Sequence, residues 1–226
     1  LENGKKMGIT YSNSLTPSVF LDPLFFGRGI AAGDFNNDGW NDFTIATDNG
    51  FELYQNLYGK SFEKVFSQVS ELKDKQAINI AMVDLNNDGW LDIFITTLNE
   101  GNYAVLNPIP AKGTITVKKV PNGGAFLTSA SAFADIDRDS YPDVINGNYF
   151  LGILTRKPIK QARNQLVFNN NLDFKIQDMA GIPGQTHSVL LSDINVDGQP
   201  DLVVGNDYRV ADTYYLGQKK GQFNKI

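Results

Sequence analysis

Short apolar runs rich in β-branched and aromatic residues recur along the chain, and each is soon broken by a cluster of Asp, Asn and Gly. The apolar segments DFTIAT (42–47), DIFITT (92–97), DVINGN (143–148) and DLVVGN (201–206) stand at equivalent places. Each is preceded by a short strand-like run, read at 29–33, 79–83, 131–134 and 188–192. A third run follows, ELYQN, YAVLN, LVFNN and YYLGQ, and a fourth closes the unit at 61–66, 114–120, 173–179 and 221–226. No segment of normal helix length shows a period of about 3.6 residues. The pattern predicts four units of four antiparallel strands.

Between the first and second strand of each unit lies the same nine-residue loop: DFNNDGWND (34–42), DLNNDGWLD (84–92), DIDRDSYPD (135–143) and DINVDGQPD (193–201). Their first aspartates are 50, 51 and 58 residues apart. A four-stranded unit repeating at this spacing predicts an all-β chain of β-propeller blades. The blades are read over 27–66, 77–120, 129–179 and 186–226, as a single domain or part of one. MGITYSNS (7–14) is read as the outer strand of a preceding blade, which favours an arc of a larger ring of six to eight blades.

The loops carry the chemistry. Oxygen-bearing side chains fall at positions 1, 3, 5 and 9: Asp34, Asn36, Asp38 and Asp42; Asp84, Asn86, Asp88 and Asp92; Asp135, Asp137, Asp139 and Asp143; Asp193, Asn195, Asp197 and Asp201. Position 7 (Trp40, Trp90, Tyr141, Gln199) offers its backbone carbonyl. Hard oxygens without His or Cys select Ca²⁺ over softer metals, and one ion per loop predicts four. Position 6 is Gly39, Gly89 and Gly198, suited to a left-handed turn, whereas the third loop has Ser140 and four aspartates. The loops begin like an EF-hand, but position 12 is Ile45, Ile95, Asn146 or Val204 where that motif needs Glu. Polar hairpin turns are the plainer reading, which four copies of one oxygen pattern disfavour.

The loop with its following apolar strand resembles the FG-GAP/VCBS repeat, the calcium-binding propeller repeat of integrin α-subunits and many bacterial surface proteins. The Phe26–Gly27 pair before the first loop and the segment NQLVFNNNLDFKIQDMAGI (164–182) add to the likeness. The other units lack Phe-Gly, so integrin membership is not implied. The resemblance implies an extracytoplasmic module for adhesion, ligand binding or assembly, with protein subunits or cell-surface ligands as partners.

Composition narrows the classes. The 226 residues suffice for a sizeable core, and hydrophobic residues make up 42 %. The net charge is −5, but thirteen of the 25 acidic residues lie in the four loops, so the acidity belongs to the loops. Nothing favours nucleic-acid binding. No apolar run reaches the ~20 residues of a membrane span. There is no cysteine, and the opening LENGKKMGIT has neither an initiator Met nor an apolar leader, as expected of a processed or partial chain.

Candidates for other chemistry are few. His187, the lone histidine, is a general base only if partners surround it, and reads as structural at a blade edge. Trp40 and Trp90 suit sugar stacking, although packing on a neighbouring blade is the simpler expectation. The long segment 150–163 breaks the repeat with Arg156, Lys157, Lys160 and Arg163 behind an apolar stretch. It reads as a solvated insertion or as a partner-binding loop. The chain is expected not to be an enzyme, with a carbohydrate-binding lectin or a propeller-type polysaccharide lyase as the alternatives.

Overall fold

The computed structural model describes residues 2–11, 28–66, 69–111, 113–125, 127–149, 160–207 and 210–226. It contains four four-stranded antiparallel sheets, each with its strands in chain order. The first sheet is β1 (Ile30–Gly33), β2 (Asp42–Thr47), β3 (Gly50–Leu57) and β4 (Ser61–Phe66). The second is β5 (Ala77–Val83), β6 (Asp92–Thr97), β7 (Gly101–Leu106) and β8 (Thr116–Val120). The third is β9 (Leu127–Ala134), β10 (Asp143–Tyr149), β11 (Gln165–Asn170) and β12 (Asp173–Asp178). The fourth is β13 (Thr186–Ser192), β14 (Asp201–Asn206), β15 (Thr213–Gln218) and β16 (Gln222–Lys225). The Asp-rich loops fall between the first and second strands, as the sequence predicts.

The chain divides into two compact units. The first comprises Leu1–Val83, Gly89–Thr97 and Tyr103–Val117, and the second Asp84–Asp88, Leu98–Asn102 and Lys118–Ile226.

Side chains alternate across a pleated strand, so each sheet presents two faces. In the first unit Ala31, Ala46, Phe51 and Leu53 of the first sheet share one core with Ile80, Met82, Ile93 and Ile95 of the second. Phe35, Val69 and Leu72 belong to the same core. In the second unit Ala132, Ala134, Ile145 and Leu166 of the third sheet meet Val189, Leu191, Leu202, Val204 and Tyr215 of the fourth. Both cores therefore use the same places in the repeat.

Among the first strands of the four units, three start two or more residues away from the sequence reading. β5, β9 and β13 begin at Ala77, Leu127 and Thr186, two to four residues earlier than expected. Register shifts between Ala77 and Asn79, Gly147 and Asn148, and Thr186 and Ser188 explain this. A bulge breaks the two-residue alternation by which a strand is recognised.

The strand expected over 7–14 is not seen in residues 7–11. They follow a short helix, α1 (Glu2–Lys6), through a turn in which Gly8 has φ +87°. The Phe62 N–H bonds Met7 O at 2.7 Å, and a Cβ on Gly8 would strike Phe62 O. Residues 12–14, the Phe26–Gly27 pair and 150–159 of the insertion lie outside the described residues.

Ile95 is fully buried in the first core. Ile95→Ala should destabilise the fold by about 2–5 kcal/mol. Ile30→Ala, at an exposed position of the first sheet, should change it little. Urea unfolding of both variants checks this.

Candidate metal centres

Each loop is shaped by its first aspartate. Asp34 accepts the Asp38 N–H at 3.0 Å and the Gly39 N–H at 2.8 Å. Asp135 accepts from Asp139 at 2.9 Å and Ser140 at 3.0 Å. Asp193 accepts from Asp197 at 3.0 Å and Gly198 at 2.8 Å, and Asp84 accepts from Asp88 at 3.1 Å. The fifth-position carboxylate takes the next turn: Trp40, Tyr141 and Gln199 donate their N–H groups to Asp38, Asp139 and Asp197 at 2.8–2.9 Å.

This path requires left-handed backbone at two places. Position 6 has φ +88°, +84°, +77° and +81° at Gly39, Gly89, Ser140 and Gly198. Ser140 thus adopts the conformation expected of glycine, at a cost of about 1–2 kcal/mol. The sequence reading missed position 4, where Asn37, Asn87, Arg138 and Val196 have φ between 55° and 68°. Asn tolerates this region, but a β-branched Val does not favour it.

The ninth-position aspartates are buried. One oxygen accepts the N–H of loop position 2, from Phe35 to Asp42 (3.1 Å), Ile136 to Asp143 (2.9 Å) and Ile194 to Asp201 (2.9 Å). The other accepts an N–H from the third strand or its end: Asn56 (2.7 Å) to Asp42, Asn107 (2.8 Å) to Asp92, Asn169 (2.9 Å) to Asp143 and Gly217 (2.8 Å) to Asp201. Position 9 therefore anchors the loop as well as offering a ligand oxygen. Burial pushes Asp143 up to about 6, against the lowering by these two N–H groups. Asp42 is raised by burial for the same reason.

The third position separates the loops. Asn36, Asn86 and Asn195 donate their amides to Asp38, Asp88 and Asp197 at 2.9, 2.9 and 3.0 Å. Asp137 has no such hydrogen to give. Its Oδ1 is buried without a hydrogen-bond partner, and oxygens of Asp135, Asp137 and Asp143 lie within 4.8 Å of one another. Burial, followed by the charges of Asp139 and Asp135, raises Asp137 above the usual carboxylate range. An orphaned carboxylate oxygen beside two further carboxylates fits a hard cation.

The other candidates stand apart from the loops or at their edges. The Trp40 ring lies over Gly59 in the β3–β4 turn of its own sheet and is 41 % exposed. His187 Nε2 is 3.5 Å from Asp207, and its ring leans on Tyr149. Arg163 donates to Met179 O at 3.1 Å and Gly181 O at 2.6 Å, tying it to its own sheet. Lys160 is exposed, and Arg156 and Lys157 fall outside the described residues.

A buried amide cluster was missed. Asn102 donates to Thr128 and Asn146, Thr128 to Asn148, and Asn148 to Gln165 and Arg163 O. Its signal is present in the sequence: DVINGN places polar residues where DFTIAT and DIFITT place apolar ones or Thr.

Asp143→Asn should destabilise the protein by about 1–3 kcal/mol even in EGTA, because an amide cannot accept both backbone N–H groups. Denaturation in chelator separates this anchoring role from metal binding.

The FG-GAP-like repeat model matches residues 34–95 and 84–145. No curated protein matches in sequence. Among solved structures, the fold is similar to an Agrocybe aegerita lectin described as recognising non-reducing terminal N-acetylglucosamine. The TM-score is 0.59 and the identity 16 %, over 88 % of this chain and 51 % of the lectin chain. This chain thus spans about half of that structure's length. Two overlapping repeat matches, on sheets of the propeller type with the loop between first and second strands, place the chain in the FG-GAP-like repeat family.

Proposed function

We propose that this chain is a calcium-stabilised propeller module that acts outside the cytoplasm by binding protein partners, as a scaffold or a subunit of an assembly, and not by catalysis. The observation that carries the calcium reading is the third loop, where Asp137 Oδ1 is buried without a partner beside Asp135 and Asp143. Asp135, Asp137, Asp139 and Asp143 would hold the ion there. The repeated sets at 34–42, 84–92 and 193–201 would hold three more. Bound Ca²⁺ supplies positive charge that offsets repulsion among these carboxylates. Four divalent ions would more than cancel the net charge of −5.

Carbohydrate binding is a second reading. It draws on the fold likeness to a lectin and on the Trp40 ring, partly exposed beside the first loop. A glycan array probed with the chain and with Trp40→Ala tests it, and binding that the variant retains would remove Trp40 from the reading.

A site held at about 100 times its Kd adds about 2.7 kcal/mol. At this chain length about 1 kcal/mol moves Tm by about 2–4 °C. One occupied loop should therefore lift Tm by roughly 5–10 °C over the value in EGTA. Calorimetric titration should count four sites. An unchanged Tm would overturn the calcium reading.

Asp137→Asn sharpens the test because its two effects have opposite signs. In EGTA the variant should melt higher than the parent, since the new amide supplies the donor found in the other three loops and removes one charge. In calcium its gain in Tm should be smaller than the parent's, since the third loop has lost a carboxylate.

A further inference from the structure

The fourth sheet leaves open a face that the first and third sheets bury. Leu190, Val203 and Tyr214 are cross-strand partners in one row. The same row in the third sheet is Ala132, Ile145 and Leu166, within the second unit's core. In the fourth sheet Leu190 is 57 % and Tyr214 48 % exposed. Loop position 2 repeats the contrast. Phe35, Leu85 and Ile136 are 4, 0 and 3 % exposed, whereas Ile194 is 57 % exposed.

The backbone beside this residue also changes. Asn107 donates its amide to Phe35 O at 2.8 Å, and Asn169 donates to Leu85 O at 2.8 Å. Each also bonds the position-8 carbonyl of its own loop, Leu91 O or Pro142 O, at 3.0 Å. Among the described residues, no donor meets the Ile194 carbonyl.

The chain carries a matching half. Asn56 of the first sheet is the counterpart of Asn107 and Asn169: it bonds its own position-8 carbonyl, Asn41 O, at 3.0 Å. Among the described residues its second amide hydrogen has no acceptor, and it is only half-buried where the other two are buried. Ile30, Ala32, Phe43 and Ile45 occupy the places by which Ile80, Met82, Ile93 and Ile95 enter the first core. Residues 7–10 cover part of the outer strands, through Phe62 and Tyr54, but Ile30 on β1 is 66 % exposed.

We infer that the first sheet of one copy docks on the fourth sheet of another. Asn56 donates to the partner's Ile194 carbonyl, and Ile30 and Ile45 cover the row of Leu190, Val203 and Tyr214. This rests on the reading of the chain as a binding module and names its partner as a second copy. The two patches differ, so the contact is heterologous, and repetition closes a ring or extends a filament.

Light scattering after size exclusion tests this on the 226-residue chain in calcium. The parent should associate beyond its 25.0 kDa mass with rising concentration. Ile194→Asp and Ile30→Asp alter exposed side chains, and circular dichroism checks that each variant folds. Leu190→Lys replaces Ile194→Asp if that variant does not. Each variant alone should be a monomer. An equimolar mixture should form a dimer and nothing larger, because each copy retains one working patch. A monomeric parent at every concentration overturns the inference, as does an Ile30→Asp variant that still self-associates. A parent that is monomeric yet melts lower in EGTA would overturn the docking and leave the calcium reading intact.

Discussion

The ninth-position aspartate of each loop is the constraint on which the sheet depends. It is a buried carboxylate at the first residue of the second strand. One oxygen holds the start of the loop, and the other holds an N–H of the third strand or its end, as at Asp42, Asp143 and Asp201. A buried charge is costly unless its lone pairs are met, and here backbone donors meet them. Loop, second strand and third strand are thereby fixed to one another, whatever the identity of the flanking apolar residues.

That anchoring also shapes the acidic loops. The first and fifth aspartates accept backbone N–H groups around the turn, so their carboxylates are oriented by the chain itself. In three loops an Asn amide completes the network, and in the third loop an aspartate leaves it open at Asp137. The third loop is therefore where electrostatics most demand a cation, whereas the other three are better satisfied without one.

Much of this was legible in the sequence because the loop is short, polar and repeated. Its gapless recurrence gave the sheet count, the place of the loop between first and second strands, and the left-handed turn at position 6. Ser140 was recognisable by comparison with Gly39, Gly89 and Gly198. The left-handed residue at position 4 was not, because Asn, Arg and Val share no chemistry that marks it. The bulges at Ile78, Ser129 and His187 hid the beginnings of strands, since they shift the alternation that defines a strand. The anchoring by Asp42, Asp92, Asp143 and Asp201 was invisible for another reason: a ligand oxygen and a backbone anchor call for the same residue.

Gly217 carries a different consequence. It stands where the first three sheets have Asn56, Asn107 and Asn169, and a Cβ there would lie 2.2 Å from Pro200 O. No amide is available at this place to hook the fourth sheet to the third. Their loops are instead linked by an exposed bond from Arg138 to Gly198 O, beside the shared apolar core. The first and second sheets have a buried hook from Asn107 to Phe35 O. Local opening follows the least reinforced seam. The seam of the third and fourth sheets is held at its other end, where Ser129 donates to Thr186 O, Thr186 to Asn164 Oδ1 and Tyr215 to Ala180 O, so an opening of the fourth sheet would begin at the 193–201 loop and not along β13.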